Sequence, residues 1–207
     1  MTQLPVDRQA VHDELETARA TFHALVDHAT REDLARRSAG TRWTNRQLLF
    51  HMLFGYLIVR TLLGLVRMFG RLPNGFSRTW SRVLNSATRP FHVVNYLGSV
   101  GGALVLRGPR LTAKLDRVVD SLHRKLDLET DDALRRGMAF PTGWDPYFRD
   151  HMSLFEVYHY ATQHFDHHRA QLTLDTGTSA DRAGLDRLND RGHTGGARGT
   201  PRTESQE

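Results

Sequence analysis

The sequence has 207 residues and contains no cysteine. Without thiols the chain cannot form a disulfide framework, and a metal site has to be built from histidine and carboxylate ligands. Any thiol chemistry would therefore use a thiol supplied by another molecule.

The chain also lacks a long run of basic residues, although its formal net charge is +5 and its pI is about 10.1. Arginine accounts for most of the excess and is spread over the whole sequence. Because no nucleic-acid-reading module accompanies these arginines, we do not expect nucleic acid to be a partner.

No segment combines the length and the apolar character of a membrane span. Residues 1–10 are polar, without the apolar core of a secretory signal. The most apolar stretch, Leu48 to Phe69, is interrupted by Arg60 and Arg67. Its longest uncharged run is shorter than the ~18–20 residues that a spanning helix needs. We predict a buried core helix there, no stable membrane insertion and, by default, a cytoplasmic location.

Hydrophobic residues recur at helical spacing in four long segments, and strand signals are absent. The predicted helices cover approximately residues 7–28, 44–69, 111–126 and 153–174. Thr44 with Gln47, and Ser153 with Glu156, form capping boxes at the starts of the second and fourth helices. This pattern predicts an all-α fold, a four-helix bundle.

Three segments lie outside these helices. Within the insert of residues 76–108, Trp80, Val83 and Leu84 indicate a short helix. The apolar, glycine-broken segment Phe91 to Leu106 is a loose helix, a surface helix that contacts a partner, or a pocket wall. Residues 137–151 form an aromatic loop around Trp144, either docked as core or covering a site. The polar composition of residues 176–207 predicts a disordered tail after a single domain of residues 1–175.

The last helix carries two histidines at metal-ligand spacing. His164 and His168 are four residues apart and therefore lie one above the other on one helix face. Histidines in such positions are also found simply hydrogen-bonded to a carboxylate or carbonyl. His51 supplies a third inward-facing imidazole from the second helix, and Gly55 leaves space beside it. A three-histidine face would keep coordination positions open, as in catalytic metal sites.

Two motifs resemble those of the DinB-like (YfiT-like) superfamily. They are Trp43-Thr44 followed by residues 47–52, and residues 164–172, and the resemblance extends over residues 7–175. It implies a four-helix bundle that binds a divalent metal, zinc or nickel, through His51, His164 and His168. Ala170 stands where the family often has glycine, and the insert at 76–108 has no counterpart.

The resemblance also implies a class of reaction. Characterised relatives include transferases and isomerases that use low-molecular-weight thiols such as mycothiol. The favoured hypothesis is a metal-dependent thiol S-transferase that acts on a small electrophilic substrate. Trp144 and Arg169 are the predicted residues for binding the cofactor or substrate, while Asp166 and His167 are candidates for orienting the site. No catalytic side chain is assigned.

Two other functions remain open at this stage. One is a metal-dependent hydrolase in which water on the metal is the nucleophile, although no glutamate accompanies either motif as a base. The other is a non-catalytic metal-binding or interaction module, with the segment Phe91 to Leu106 as its contact surface. A homodimer formed through that segment is compatible with each of these functions.

Overall fold

The computed structural model of the protein describes residues 6–175, which are mostly helical. The elements in chain order are α1 (Arg8–His28), α2 (Arg31–Ala35), α3 (Asn45–Phe69), α4 (Asn74–Ser86), α5 (Thr88–Val105), α6 (Pro109–Asp127), α7 (Asp131–Arg135), β1 (Gly137–Ala139), β2 (His151–Ser153) and α8 (Leu154–Arg169). The predicted all-α fold is confirmed. The predicted disordered tail at 176–207 lies outside the described residues, so its boundary stays a prediction.

The bundle consists of α1, α3, α6 and α8, and contacts at the helix ends show how they run. Arg8 at the start of α1 donates to the carbonyl of Leu126 at the end of α6, so these helices are antiparallel. Arg67 in the last turn of α3 pairs with Glu129, just beyond α6, so α3 and α6 point the same way. The chain between them must therefore return along the bundle, as in bundles with long crossover connections.

The crossover is the insert at 76–108, and it is helical. It forms α4 and α5, which are separated only by Ala87. α5 packs along α3 so closely that a Cβ at Gly102 would lie 2.0 Å from the ring of Phe50. α6 then begins after Gly108, whose φ of 48° suits glycine, with Pro109 in its first turn. The segment Phe91 to Leu106 is therefore helical as far as Val105 and contributes residues to the wall of a cavity, while its contact with a partner stays a prediction.

Local capping sets the starts of the two helices that matter most for the site. The Thr44 side chain accepts from the amide of Gln47, whose side chain accepts from the amide of Thr44 in return. Ser153 and Glu156 make the same reciprocal pair at the start of α8. Both predicted capping boxes are confirmed, because each depends only on residues three positions apart.

Two local details differ from the sequence-based prediction. α8 ends at Arg169 and not near Leu174, because Thr173 donates its amide to the side chain of Asn45 at 3.1 Å. The aromatic loop is bracketed by β1 and β2, an antiparallel pair of three residues each. Strands this short show no hydrophobic alternation that a sequence pattern could reveal.

α3 is the central helix of the described region. Its length and composition would suffice to cross a membrane, but 56% of its most apolar window is buried inside the protein. Leu48, Met52, Val59 and Leu63 are among its fully buried residues. This burial is typical of a core helix, as predicted from the sequence.

Candidate metal centre

Three histidines that are far apart in the sequence lie together between α3 and α8. His51 comes from α3, while His164 and His168 come from successive turns of α8. One ring nitrogen of each lies within 4.8 Å of the other two. Within residues 6–175, no other group of three or more histidine or acidic side chains is gathered in this way. The structure thus brings together the three ligands predicted from the sequence.

The close approach of α8 to α3 depends on Gly55, one turn after His51. A Cβ at residue 55 would lie 2.4 Å from Cδ2 and 2.8 Å from Nε2 of His164. The His164 ring therefore occupies space that any larger residue at 55 would fill. The ring of His51 stacks on the ring of Trp43, with centroids 4.3 Å apart. Nε2 of His51 lies 3.1 Å from Nε2 of His168.

A hydroxyl group orients the ring of His51 from behind. Nδ1 of His51 lies 3.1 Å from the Ser99 hydroxyl oxygen, which α5 carries into the site. That hydroxyl donates its own hydrogen to the carbonyl of Asn95 at 2.9 Å. The oxygen is therefore an acceptor toward His51, so Nδ1 carries the ring hydrogen and Nε2 keeps its lone pair.

Carboxylate and amide oxygens orient the other two rings in the same way. Nδ1 of His164 donates to Asp145 at 3.0 Å, and the same carboxylate oxygen accepts from the Tyr160 hydroxyl at 2.9 Å. Nδ1 of His168 donates to the side-chain oxygen of Gln171 at 2.7 Å. Hydrogen bonds of this kind fix the tautomer and orientation of metal-ligating histidines.

All three Nε2 atoms are consequently free of a hydrogen, so each can offer a lone pair to an ion. Nε2 of His164 is buried and has no hydrogen-bond partner, which costs about 1–3 kcal/mol for a buried polar atom. A cation at the common point would satisfy all three atoms together. Imidazole nitrogens suit zinc, nickel and similar ions, whereas magnesium and calcium take oxygen ligands. The donor set therefore fits a divalent transition metal.

The surroundings lower the pKa values of His51, His168 and Asp145. Burial, reinforced by His164 and His168, lowers the pKa of His51 well below its ordinary value. Burial is also the main reason that the pKa of His168 falls to about 4. Burial acts to raise the pKa of Asp145, but hydrogen bonds from His164 and other neighbours outweigh it, so that pKa is lowered. Metal ligation requires neutral histidines.

The histidines form part of the wall of an apolar cavity of about 360 Å³, a size suited to a small molecule. Its other walls are α3, α4, α5 and the loop at 140–148. Aromatic residues of the lining are Trp43, Phe54, Trp80, Phe91, Phe140, Trp144, Phe148 and Tyr160. Trp144 stacks on Phe91 with centroids 3.9 Å apart, and its Nε1 donates to the carbonyl of Leu84. The aromatic loop is thus docked against the insert and covers the cavity.

The other predicted site residues lie in different surroundings. Trp144 lines the cavity, as expected for a binding residue. His167 contacts the Tyr147 hydroxyl through Nδ1 at 3.3 Å. Arg169 is exposed, pairs with Asp166 at 3.4 Å and is not part of the cavity lining. Its role in binding a cofactor or substrate stays a prediction.

Three residues that orient the rings, Ser99, Asp145 and Gln171, were given no role in the sequence analysis, and two of them lie outside the family motifs. Asp145 follows Trp144 in the aromatic loop, where most of its sequence neighbours are apolar. A carboxylate in such a segment was the one sequence feature that could have indicated a buried polar role. Ser99 lies between glycines of the insert, where no pattern pointed to His51. Both reach the site only because the loop and α5 fold over α3.

The fold and the site together define a class of protein: a helical bundle with a histidine triad that can hold a metal ion beside an apolar cavity. The family model of the DinB superfamily matches residues 14–172, well over half of the chain, and the protein belongs to that superfamily. No curated protein and no solved structure matches the chain. The family resemblance noted in the sequence is thereby confirmed.

Proposed function

We propose that this protein is a divalent-metal-dependent transferase that activates a low-molecular-weight thiol, such as mycothiol, toward a small electrophilic substrate. His51, His164 and His168 would hold the ion, zinc or nickel. The observation that carries the proposal is the gathering of three imidazole nitrogens within 4.8 Å of one another at the wall of an apolar cavity. A bound divalent ion lowers the pKa of a thiol, so that the thiolate is available near neutral pH.

The protein's own residues have positioning roles in this proposal. Ser99, Asp145 and Gln171 each bind the Nδ1 atom of one ring, which leaves Nε2 of that ring free for the ion. The aromatic lining, including Trp144, would enclose the apolar part of a substrate and exclude water from it. Closing the reactive centre off from water strengthens the electrostatic interactions within it.

One observation favours a thiol over water as the nucleophile. A hydrolase would benefit from a free carboxylate beside the ion to act as general base. Asp145 is the carboxylate nearest the histidines in the cavity lining, and it already accepts hydrogen bonds from His164 and Tyr160. A thiol ionises more readily than water and has less need of such a base.

The test is turnover of a thiol with a panel of apolar electrophiles. We expect metal-loaded protein to accelerate conjugation, and His168→Ala to reduce the rate to that of metal-free protein. His28→Ala is the matched control, because His28 is exposed at the end of α1 and bonds only to the carbonyl of Ala24. A metal-loaded rate equal to the metal-free rate would contradict the proposal.

The same assay separates the competing functions. Turnover of esters or amides with no thiol added would indicate a hydrolase. Stoichiometric metal without turnover on either panel would indicate a binding module. Elemental analysis of protein purified without added metal would identify the ion, with His168→Ala as the reference.

A further inference from the structure

The outer face of α5 is apolar from Val93 to Val105, although it is exposed. Its residues are Val93, Val94, Leu97, Gly98, Gly101, Leu104 and Val105. Val94 and Val105 are 67% and 70% exposed. The opposite face is buried, with Ser99 against His51 and Ala103 in the core. Helices that are apolar all round are normally covered all round, so the outer face needs a partner.

The exposed apolar face of α5 is a continuous patch, unlike the single apolar residues that are scattered over most protein surfaces. α5 has 18 residues, so it is about 27 Å long. Its exposed apolar side chains recur along this length, and nothing charged lies between them. Contiguous apolar patches of this kind mark interaction sites on monomeric proteins.

The ionic side chains in this part of the sequence are all of one sign. Between Asp33 and Asp116, every ionic side chain in the sequence is basic. Arg89 at the start of α5 and Arg107 and Arg110 just beyond its end are exposed. Within residues 6–175, no carboxylate pairs with any of these three arginines. The apolar face is therefore bounded at both ends by cations that lack counter-charges.

We propose that α5 docks in the plane of an anionic lipid bilayer. Its apolar side chains would enter the boundary between headgroups and acyl chains, while Arg89, Arg107 and Arg110 contact lipid phosphates. This combination of an exposed apolar helix face and basic residues is the signature of interfacial membrane binding. Such docking differs from insertion, and the buried α3 takes no part in it.

The charge pattern favours lipid over other occupants. In a two-fold dimer through α5, each copy would present the same face, with arginines at both ends and no acidic residue to meet them. A nucleic acid would require cations on the contact surface itself, and α5 carries none between Val93 and Val105. An anionic bilayer offers both an apolar layer and negative charge.

The test is cosedimentation with phosphatidylcholine vesicles prepared with and without phosphatidylglycerol. We expect binding to the anionic vesicles only, weakening as salt is raised. Leu97→Glu should reduce binding at least about tenfold. The substitution removes a leucine that would be buried in the bilayer and adds a negative charge that the anionic lipids repel. Leu128→Glu is the matched control: Leu128 is 84% exposed beyond α6, so the same substitution there should leave binding unchanged.

Substitution of the arginines tests the electrostatic part of the proposal independently. Each of Arg89→Gln and Arg110→Gln should weaken binding to anionic vesicles about fivefold, the effect of one cation at such a surface. Arg124→Gln, an exposed arginine on α6, should have little effect. Circular dichroism melts would verify that each variant is folded, and Val94→Glu replaces Leu97→Glu if the latter is not.

Several results would overturn the proposal. They are equal binding to neutral and anionic vesicles, wild-type binding by Leu97→Glu, and no vesicle binding at all. Light scattering after size exclusion adds a further check. If the protein does not bind vesicles but forms a dimer, and Leu97→Glu dissociates that dimer, the face binds a second copy of the chain instead.

Discussion

Replacing Gly55 by alanine adds one methyl group where the metal centre has no room for it. The new Cβ would lie 2.4 Å from Cδ2 of His164, whereas ordinary contacts begin at 3.4 Å. The ring would have to move by about 1 Å. Nitrogen ligands tolerate displacements of only about 0.2 Å from their normal distance to a metal, so in the proposed site His164 would no longer reach the ion.

Gly55→Ala should have a small effect on stability and a large effect on metal affinity. Alanine is favoured over glycine in a helix by about 0.8–1.0 kcal/mol, while overpacking a well-filled site costs about 1–3 kcal/mol. The metal-free Gly55→Ala protein should therefore lose no more than about 2 kcal/mol of its free energy of unfolding. Metal affinity should fall by at least about 10–100-fold. Losses in this range follow when a residue that only hydrogen-bonds to a ligand is changed, and here the ligand itself is displaced.

The assay is competition with a chelator for zinc, alongside urea unfolding of the metal-free protein. Gly64→Ala is the matched control in the same helix, because a Cβ there would meet nothing within 4 Å. It should keep full metal affinity and gain about 0.5–1 kcal/mol in stability. Zinc affinity of Gly55→Ala within twofold of the wild type would refute the assignment of His164 as a ligand.

Three further predictions concern the surroundings of the site. Asp145→Asn keeps the size of the side chain but removes the charge that holds His164, and should weaken zinc binding by about 10–100-fold in calorimetry. Burial lowers the pKa of His168 to about 4, so the unfolded chain binds more protons between that value and about 6.5. Urea unfolding of metal-free protein should show stability lost as pH falls through this window, with a smaller loss in His168→Gln; an equal slope would contradict the burial of that ring. Gly102→Ala should destabilise the fold by about 1–3 kcal/mol in thermal melts, since its Cβ would enter an aromatic ring. Gly101→Ala, with open space around it, should not.

Features that depend on near neighbours were predictable from the sequence. The start of α3 was predicted because Thr44 and Gln47 satisfy each other's amides within one turn. The pairing of His164 with His168 followed from the helical repeat, which places residues four apart on one face. His51 was added by its inward position and by the family motif. These inferences need no knowledge of how the helices pack.

Features that depend on distant neighbours were not predictable in this way. The hydrogen bond between Ser99 and His51 joins residues 48 positions apart and exists only because the insert folds back along α3. Asp145 meets His164 because the aromatic loop docks over the cavity. Neither contact has a fixed spacing that a sequence could display.

The sequence by itself therefore determined the four long helices of the bundle and the capping boxes of two of them, because these follow from local geometry and hydrophobic periodicity. With the family motif it also identified the three histidines. Only the tertiary structure decided that the three rings share one point, which groups hold them there, and that an apolar cavity opens beside them. Those outcomes depend on the path of the crossover, and that path is chosen by close packing among all the helices at once.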